Sequence, residues 1–569
     1  LHVYLTNSLE ESNNEPRTLF AQWLSREATE ANVIKRDYPV MVMIGNPPYS
    51  ISSQNNGKWI TDLIADYKKD LNERNIQPLS DDYIKFIRLG QHYIEKNGEG
   101  ILGYISNNSF IDGIIHRQMR KSLLLTFDQI YILNLHGDSK KQEKTPNGEK
   151  DENVFDIMQG VSINLFIKTG KKPKGELGRI YYAELYGDRE HKYRTLNELR
   201  LDNIQWQDIK AESPYYFFVP KDFSLQEEYE KGFKIDGLFV KYNNGIESGK
   251  DDFFFGFDKD SYRKFIKESF DDKDGCSKRM DFKDTDNFRL LTSFRKATYD
   301  ESKFISVHYR PFDIRPSYYD PAIQRRPAYD LMKHMHAGNI GLLVPRQVSG
   351  DFHHVFASDI PTNCNLTGTA KKFGSAPLFP LYIYQETLGA EERVPNLNPQ
   401  IVRQIEQSLG EAVEPQELFD YIYAVLHSPA YRERYKEFLK IDFPRIPYPT
   451  DKEKYRNLVA LGKELRQLHL MEDFPHSTGV SFPVGGTLQV DCYRWQQNRV
   501  YINAEQYFEG VPESAWNFYI GGYQPAQKWL KDRKGMTLSF EDVKHYQHII
   551  YVLRQTGRIM QEIDNSMNG

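Results

Sequence analysis

The sequence predicts an α/β protein in which a sheet-forming amino-terminal region precedes a mixed α/β region and a helical carboxyl-terminal region. Three observations predict this order. Apolar strand patterns alternate with amphipathic helix patterns over residues 1–170, as in a doubly wound sheet. Short aromatic strand patterns broken by Gly, Pro, Asp and Asn occupy residues 171–390. Helical periodicity dominates residues 391–569.

The first region contains five strand patterns and two strong helix patterns. The predicted strands cover residues 2–5, 40–44, 100–111, 129–137 and 161–170. One helix begins with Ser80 as its predicted cap and ends near Gly98, and a second covers residues 116–127. The charged stretch 138–153 predicts an exposed loop.

Later elements follow from the same rules. Aromatic strands are predicted at 179–187, 304–320 and 340–348. Helices are predicted at 398–410, 414–440, 451–471 and 539–565, with a strand-rich patch at 491–503.

Composition excludes several classes of protein. The net charge of -5 argues against a basic protein that coats nucleic acid, although a local basic cleft would still bind phosphates. Three widely spaced cysteines predict no disulfide framework and no metal site, and they are consistent with a reducing cytoplasm. Since no apolar run reaches about 18 residues, we expect no membrane segment.

The most informative stretch is "VMVMIGNPPYSI", residues 40–51. Its apolar run predicts a strand buried on both faces. Pro47 and Pro48 cannot donate ladder hydrogen bonds, so the strand must end at Asn46 and continue as a stiff loop. Because ligands of open α/β sheets bind at the carboxyl ends of strands, this loop is a predicted site.

The residue types of this loop fit methylation of an exocyclic amino group on a base. The side-chain carbonyl of Asn46 and the backbone carbonyl of Pro47 can accept the two N–H groups, and the rigid Pro47–Pro48 unit keeps them in place. Tyr49 offers a ring face to a base flipped out of the duplex. The alternative is a plain strand-to-turn junction, since N-P and P-P both mark loops.

With its downstream elements, "NPPY" resembles the catalytic loop of amino-group DNA methyltransferases, particularly N6-adenine enzymes. Residues 83–111, 116–125 and 153–170 resemble the elements that follow in that family. Phe155 matches the aromatic residue that the family places against the flipped base, although a core phenylalanine is the alternative. Asn7 stands where relatives carry an acidic residue near the adenine of the cofactor.

Segments "ESGKDDFFFGFDKD", "VHYRPFDIRPSYYD" and "YIGGYQPAQKWLKDRKGMTLSFEDVKHYQHII" resemble the carboxyl-terminal half of type ISP single-polypeptide restriction–modification enzymes. That half recognises the DNA target in the family. The candidate DNA-binding residues are Arg310, Arg315, Arg325, Arg326, Arg346, Gln347, Lys371 and Lys372. Ordinary ion pairs on a strand surface are the alternative for each of them.

The resemblance implies S-adenosylmethionine as methyl donor, cradled by a glycine-rich turn. No such turn lies between Leu1 and Pro47. The turn at Gly521–Gly522 is a weak substitute, and a turn that simply leads into a helix is its alternative. We therefore expect a fragment whose cofactor motif lies in an upstream part of the same polypeptide and which is inactive in isolation.

The resemblance thus implies a partial Rossmann-like methyltransferase sheet (1–170), a mixed α/β target-recognition domain (171–390) and a mainly helical region completing DNA recognition (391–569). The expected function is adenine-N6 methylation of a short target in double-stranded DNA, within restriction–modification or phage defence. Cytosine N4 and amide side chains of proteins are alternative acceptors. A non-catalytic DNA-recognition module with a vestigial methyltransferase scaffold is the rival function.

Overall fold

The computed structural model describes residues 7–11, 22–50, 53–73, 75–139, 143–336, 338–348, 350–368, 376–387, 390–472, 474–475 and 477–568. The predicted strand at 2–5 lies outside these residues. The chain divides into two units, Leu1–Asp222 and Phe223–Gly569. The mixed α/β class predicted from the sequence is confirmed.

The first unit is built on one six-stranded sheet. Its strands are β1 (Val42–Gly45), β2 (Gly100–Asn107), β3 (Gln129–Asn134), β4 (Val161–Lys168), β5 (Arg179–Glu184) and β6 (Gln207–Ile209). Its helices are α1 (Gln22–Asp37), α2 (Lys58–Lys68), α3 (Asp82–Asn97), α4 (Ser109–Asp112), α5 (Arg117–Thr126) and α6 (Arg189–Glu198). Because β5 and β6 pair within this sheet, the unit extends beyond residue 170, where the sequence predicts a boundary.

The sheet has the order β1-β2-β4-β3-β5-β6 and mixes parallel with antiparallel pairs. β1 is parallel to β2, and β3 is parallel to β5. β4 is antiparallel to both of its neighbours, because the chain turns back after β3 through a loop instead of a crossover helix. The carboxyl ends of β1, β2, β3 and β5 therefore share one edge of the sheet.

Side chains alternate between the two faces of the sheet, and each face packs against different helices. Ile132 faces a cluster that includes Tyr67 of α2, Ile84 of α3 and Leu123 of α5. Its neighbour Leu133 faces a smaller cluster on the opposite side, and α6 packs there.

β1 lies at the edge of the sheet, and the prediction that residues 40–44 are fully buried is wrong. Val42 is 54% and Ile44 is 84% exposed, whereas Met43 packs against the core. An apolar run indicates burial on both faces only when both faces are covered. Within the described residues, the face that carries Val42 and Ile44 is open.

The second unit combines short strands with helices. Its strands are β7 (Phe233–Lys234), β8 (Asn243–Asn244), β9 (Asp284–Thr285), β10 (Phe288–Arg289), β11 (Phe304–Arg310), β12 (Asp313–Tyr318), β13 (Gly341–Leu343), β14 (Phe356–Ser358), β15 (Pro377–Pro380), β16 (Tyr382–Thr387), β17 (Ala390–Pro395), β18 (Arg445–Ile446), β19 (Arg494–Gln496), β20 (Arg499–Tyr501) and β21 (Tyr507–Glu509).

The helices of this unit are α7 (Gln226–Glu230), α8 (Ile235–Leu238), α9 (Asp251–Phe254), α10 (Lys259–Asp271), α11 (Lys273–Arg279), α12 (Leu290–Lys296), α13 (Tyr329–Met332), α14 (Pro399–Leu409), α15 (Pro415–His427), α16 (Pro429–Arg434), α17 (Lys436–Leu439), α18 (Lys452–His469), α19 (Glu513–Trp516), α20 (Pro525–Asp532) and α21 (Phe540–Asn568). α18 packs against both α15 and α21. None of the described helices has the length and apolarity needed to cross a membrane.

Candidate active site

The predicted loop Asn46–Tyr49 directly follows β1, at the edge where β2, β3 and β5 also end. Asn46 and Pro48 are exposed, Pro47 is buried, and Tyr49 is half-buried. Because both prolines have a fixed φ, the exposed amide of Asn46 projects from a stiff and anchored segment.

Tyr49 is held by aromatic packing. Its ring packs against that of Tyr83 in a T-shaped arrangement, with 6.1 Å between centroids and an interplanar angle of 88°. Its hydroxyl donates a long hydrogen bond of 3.4 Å to Oδ1 of Asn46. Burial, followed by the nearby charge of Asp81, raises the pKa of Tyr49 to about 12. The hydroxyl is therefore a neutral donor at physiological pH.

The start of α3 anchors the end of this loop. Asp81, not the predicted Ser80, is the N-cap residue of α3, because Ser80 belongs to a preceding 3-10 turn. Oδ1 of Asp81 accepts a hydrogen bond of 2.7 Å from the backbone N–H of Ser50. Burial raises the pKa of Asp81 despite this bond.

A second polar group of α3 fixes the segment that follows. Ser53 Oγ donates to Asp82 Oδ1 at 2.5 Å, and buried Lys85 donates to Ser53 Oγ at 2.7 Å. Lys85 also donates to the backbone carbonyl of Asn55. Sequence reasoning missed this group. A signal was visible, because Asp81 and Asp82 lie one helical turn before Lys85 and opposite charges at that spacing can interact.

Phe155 lies half-buried in the loop between β3 and β4. It packs against a small apolar cluster formed by Leu133, Leu135, Val154 and Val161. Tyr49 packs against the same cluster. The structure therefore brings together the two aromatic residues that the sequence singled out for stacking on a base.

A polar network lies at the ends of β3 and β5, and sequence reasoning did not detect it. Asn134 Nδ2 donates to the hydroxyl of Tyr182 at 3.2 Å, and that hydroxyl donates to Glu184 at 2.9 Å. His136 Nε2 lies 3.1 Å from the same carboxylate. Burial lowers the pKa of His136, but hydrogen bonds to Glu143 and Glu184 outweigh it and raise the pKa.

Asn7, the predicted cofactor contact, is bonded within the chain. Its amide donates to Glu10 at 3.0 Å and to Asn55 at 3.1 Å, and its Oδ1 accepts from the backbone N–H of Leu9. Lys35 also donates to its backbone carbonyl. The structure thus shows a local turn at Asn7, and its contact with a cofactor stays a prediction.

A glycine-rich turn that follows a strand is the motif expected to cradle S-adenosylmethionine. Among the described residues, no such turn precedes β1. At the alternative turn, the N–H of Gly521 donates to His353 O at 2.6 Å and that of Gly522 to Thr367 O at 2.8 Å. Both amides are already bonded to the protein, so they are not available to a ligand. The turn simply leads into α20. Likewise, the described residues contain no His, Cys, Asp and Glu cluster suited to a metal ion.

Two candidate DNA-binding arginines lie in the interior of the second unit. Arg310 is 8% and Arg315 is 6% exposed. Arg315 pairs with Asp313 at 2.7 Å and Asp532 at 3.0 Å, and Arg310 donates to Asn363 at 2.9 Å. Such buried pairing favours a structural role within the unit over DNA contact for both arginines.

The exposed candidates are Arg325, Arg326, Arg346 and Gln347. Arg325 and Arg326 both pair with Glu247, at 2.9 Å and 3.2 Å, and Arg346 pairs with Asp442 at 2.8 Å. The arginines of these pairs are exposed while the carboxylates are partly buried, and ion pairs at the surface are weak and can exchange partners. Lys371 and Lys372 lie outside the described residues.

Comparison with protein families identifies the second unit. Residues 237–562, more than half of the 569-residue chain, match the Type ISP C-terminal specificity domain. The chain belongs to this Type ISP family. Residues 8–141 match the Eco57I restriction-modification methylase family. No curated protein shows a significant match to the chain.

Solved Type ISP structures share the fold. The ATP-dependent Type ISP restriction-modification enzyme LlaBIII bound to DNA matches 99% of this chain with a TM-score of 0.79 and 22% identity. A nuclease-deletion mutant of the Type ISP enzyme LlaGI, in complex with a DNA substrate mimic, matches 98% with a TM-score of 0.75 and 21% identity.

The DrdV–DNA complex also matches, over 99% of this chain with a TM-score of 0.77 and 20% identity. This chain covers 39% of the LlaBIII chain, 60% of the DrdV chain and 56% of the LlaGI chain. It therefore spans less than two thirds of each of these proteins.

Proposed function

We propose that this chain carries the amino-group-binding loop and the target-recognition part of a methyltransferase that modifies N6 of adenine in double-stranded DNA. It would serve a bacterial restriction–modification or related phage-defence enzyme. One observation supports the proposal most directly: Asn46 is exposed beside buried Pro47 and the half-buried ring of Tyr49, at the carboxyl edge of the sheet. The methylase match over residues 8–141 and the specificity match over residues 237–562 support the two roles.

In the proposed reaction the target adenine leaves the duplex and stacks between Tyr49 and Phe155. Oδ1 of Asn46 and the backbone carbonyl of Pro47 each accept one N–H of the amino group. These two bonds pull the nitrogen lone pair out of conjugation with the ring and make it a better nucleophile. The 3.4 Å bond from Tyr49 to Asn46 is long, so the incoming amino group replaces it at little cost.

S-adenosylmethionine is the methyl donor in this proposal, held mainly by residues outside this chain in an upstream part of the same polypeptide. One observation supports this arrangement. The apolar side chains of Val42 and Ile44 on β1 are exposed, as expected where another segment covers them.

Target recognition is assigned to the second unit. Its exposed candidates, Arg325, Arg326, Arg346 and Gln347, have the donors needed to contact phosphates or guanine edges. Because ion pairs at the surface are weak, exchanging Glu247 or Asp442 for a DNA phosphate would cost little free energy. Such an enzyme acts in the cytoplasm, where bacterial DNA is found.

The proposal is tested by producing this chain, and in parallel the natural polypeptide that contains it, in a bacterial host that lacks adenine methylation. Genomic DNA is digested to nucleosides and analysed by mass spectrometry, and modified positions are mapped by sequencing. We expect N6-methyladenine within one short sequence, produced by the natural polypeptide and not by this chain alone.

Other outcomes contradict defined parts of the proposal. N4-methylcytosine would overturn the adenine assignment. The absence of any modified base, with specific DNA binding retained, would favour the non-catalytic recognition module. Modification by this chain alone would show that its own residues hold the cofactor, and calorimetric titration with S-adenosylmethionine would then confirm binding.

Replacing Tyr49 tests the stacking role. Tyr49→Ala is expected to lower methylation about tenfold to a hundredfold, because stacking of a base on an aromatic ring contributes about 1–3 kcal/mol. Tyr49→Phe keeps the ring and is expected to stay within about threefold of wild type. Rates are measured at saturating DNA with radiolabelled S-adenosylmethionine.

The pH dependence supplies a second check on Tyr49. Because burial raises its pKa from 10.0 to about 12, the neutral phenol is favoured in the folded chain. Its contribution to stability is fully present below pH 10 and is lost as the pH rises through 12. Wild type and Tyr49→Phe should therefore show the same rate profile from about pH 7 to 9. A wild-type profile that differs in this range would contradict the neutral assignment.

A further inference from the structure

The loop that carries Phe155 has no secondary structure of its own at residues 151–156. Its backbone is bonded by side chains of α6, which lies later in the chain. Three side chains at the start of α6 donate hydrogen bonds to four consecutive backbone carbonyls of the loop. Lys192 donates to Glu152 O at 2.6 Å, Arg189 to Asn153 O at 2.8 Å and to Phe155 O at 3.0 Å, and Tyr193 to Val154 O at 2.5 Å.

A fully buried ion pair fixes α6 to the sheet as well as to the loop. Lys192 and Asp151 both have 0% exposed side chains and lie 2.9 Å apart. Lys192 also donates to the carbonyl of Leu135, at the end of β3, at 2.7 Å. The other oxygen of Asp151 accepts from the N–H of Gly187 at 2.8 Å. One ammonium group therefore ties together α6, the end of β3 and the loop.

Within the loop, the side chain of Asn153 fixes the backbone of Phe155. Its Nδ2 donates to the carbonyls of Gly137 at 3.1 Å and Gln159 at 2.6 Å, which closes both ends of the loop. Its Oδ1 accepts the N–H of Phe155 at 2.9 Å. With Arg189 on the carbonyl of Phe155, both backbone polar groups of that residue are bonded.

We propose that α6 is a positioning element for base stacking, in which Arg189 and Lys192 hold Phe155 against the apolar cluster that it shares with Tyr49. The inference rests on the proposed function. It places residues beyond position 170, in the region that the sequence assigned to target recognition, within the machinery that orients the base. Arg189 acts on Phe155 through the backbone and does not touch the base.

The test uses Arg189→Met in the longer polypeptide that the proposed function calls for. Arg189 is partly exposed, so the variant is expected to fold, and Arg194→Met is the matched control because Arg194 is an exposed residue of the same helix. Arg189→Met should lower kcat for methylation about tenfold, with the Kd for target DNA unchanged within about twofold. Arg194→Met should match wild type in both quantities.

A double-mutant cycle with Phe155→Ala separates positioning from general damage. If Arg189 acts only by placing Phe155, the double variant is no slower than Phe155→Ala alone. Multiplying effects, or an Arg189→Met rate equal to that of Arg194→Met, would overturn the inference. Since every comparison requires an active wild type, absence of wild-type methylation would instead count against the proposed function.

Discussion

Asn46→Ala is expected to lower the methylation rate about a hundredfold to a thousandfold while leaving DNA binding intact. The residue is exposed at the end of β1, and among the described residues its side chain accepts one long hydrogen bond, from Tyr49. Its removal therefore costs little stability, but it removes one of two acceptors that act on the amino group as the reaction proceeds. Loss of a single preorganised group of this kind typically costs about this much in kcat.

The measurement is single-turnover methylation of the mapped target sequence, with Kd for DNA determined in parallel. Asn197→Ala is the matched control, since Asn197 is likewise an exposed asparagine of the first unit. Serine at position 46 is too short to reach the amino group, so Asn46→Ser should resemble Asn46→Ala. Unchanged methyl transfer in Asn46→Ala would remove this residue from the proposed site.

Lys192→Met is expected to destabilise the first unit by about 3–5 kcal/mol, because it leaves the carboxylate of Asp151 buried without its partner. The variant also loses the donors to the carbonyls of Leu135 and Glu152. The free energy of opening is measured by hydrogen exchange of peptides that span β3 in increasing urea, which reports on this unit alone.

Two companion variants sharpen this prediction. Lys150→Met makes the same substitution in an exposed pair with Glu152, where the lysine side chain is 82% exposed, and should change stability little. Asp151→Asn combined with Lys192→Met removes both charges and should recover much of the loss. If Lys150→Met and Lys192→Met proved equally stable, the buried pair would not hold the loop as described.

Several features were predictable because they depend on neighbouring residues. Gly98 ends α3 with a φ of +88°, a conformation that glycine adopts at low cost. Pro47 and Pro48 end β1 since neither can donate a ladder hydrogen bond. The cap of α3 was predicted one residue early, because the 3-10 turn that ends at Ser80 is not visible as a pattern.

Burial of charged residues was not predictable in the same way. Residues 138–153 were expected to form an exposed loop, yet Asp151 and Asn153 are buried at its end. Arg315 was read as a surface arginine, but it pairs with Asp313 and Asp532 in the interior. In each case the partner that makes burial tolerable is distant in sequence, so composition alone indicates solvent exposure.

Local sequence suffices to predict the stiff loop from Asn46 to Tyr49, its place after a strand and the hydrogen-bond acceptors that it carries, since these follow from backbone sterics and side-chain type. The apolar cluster shared by Phe155 and Tyr49, and the bonds from α6 to the loop that carries Phe155, follow only from the tertiary structure. Those contacts join segments that are far apart in the chain. They arise because β3, β4 and β5 pair in one sheet, which no local pattern specifies.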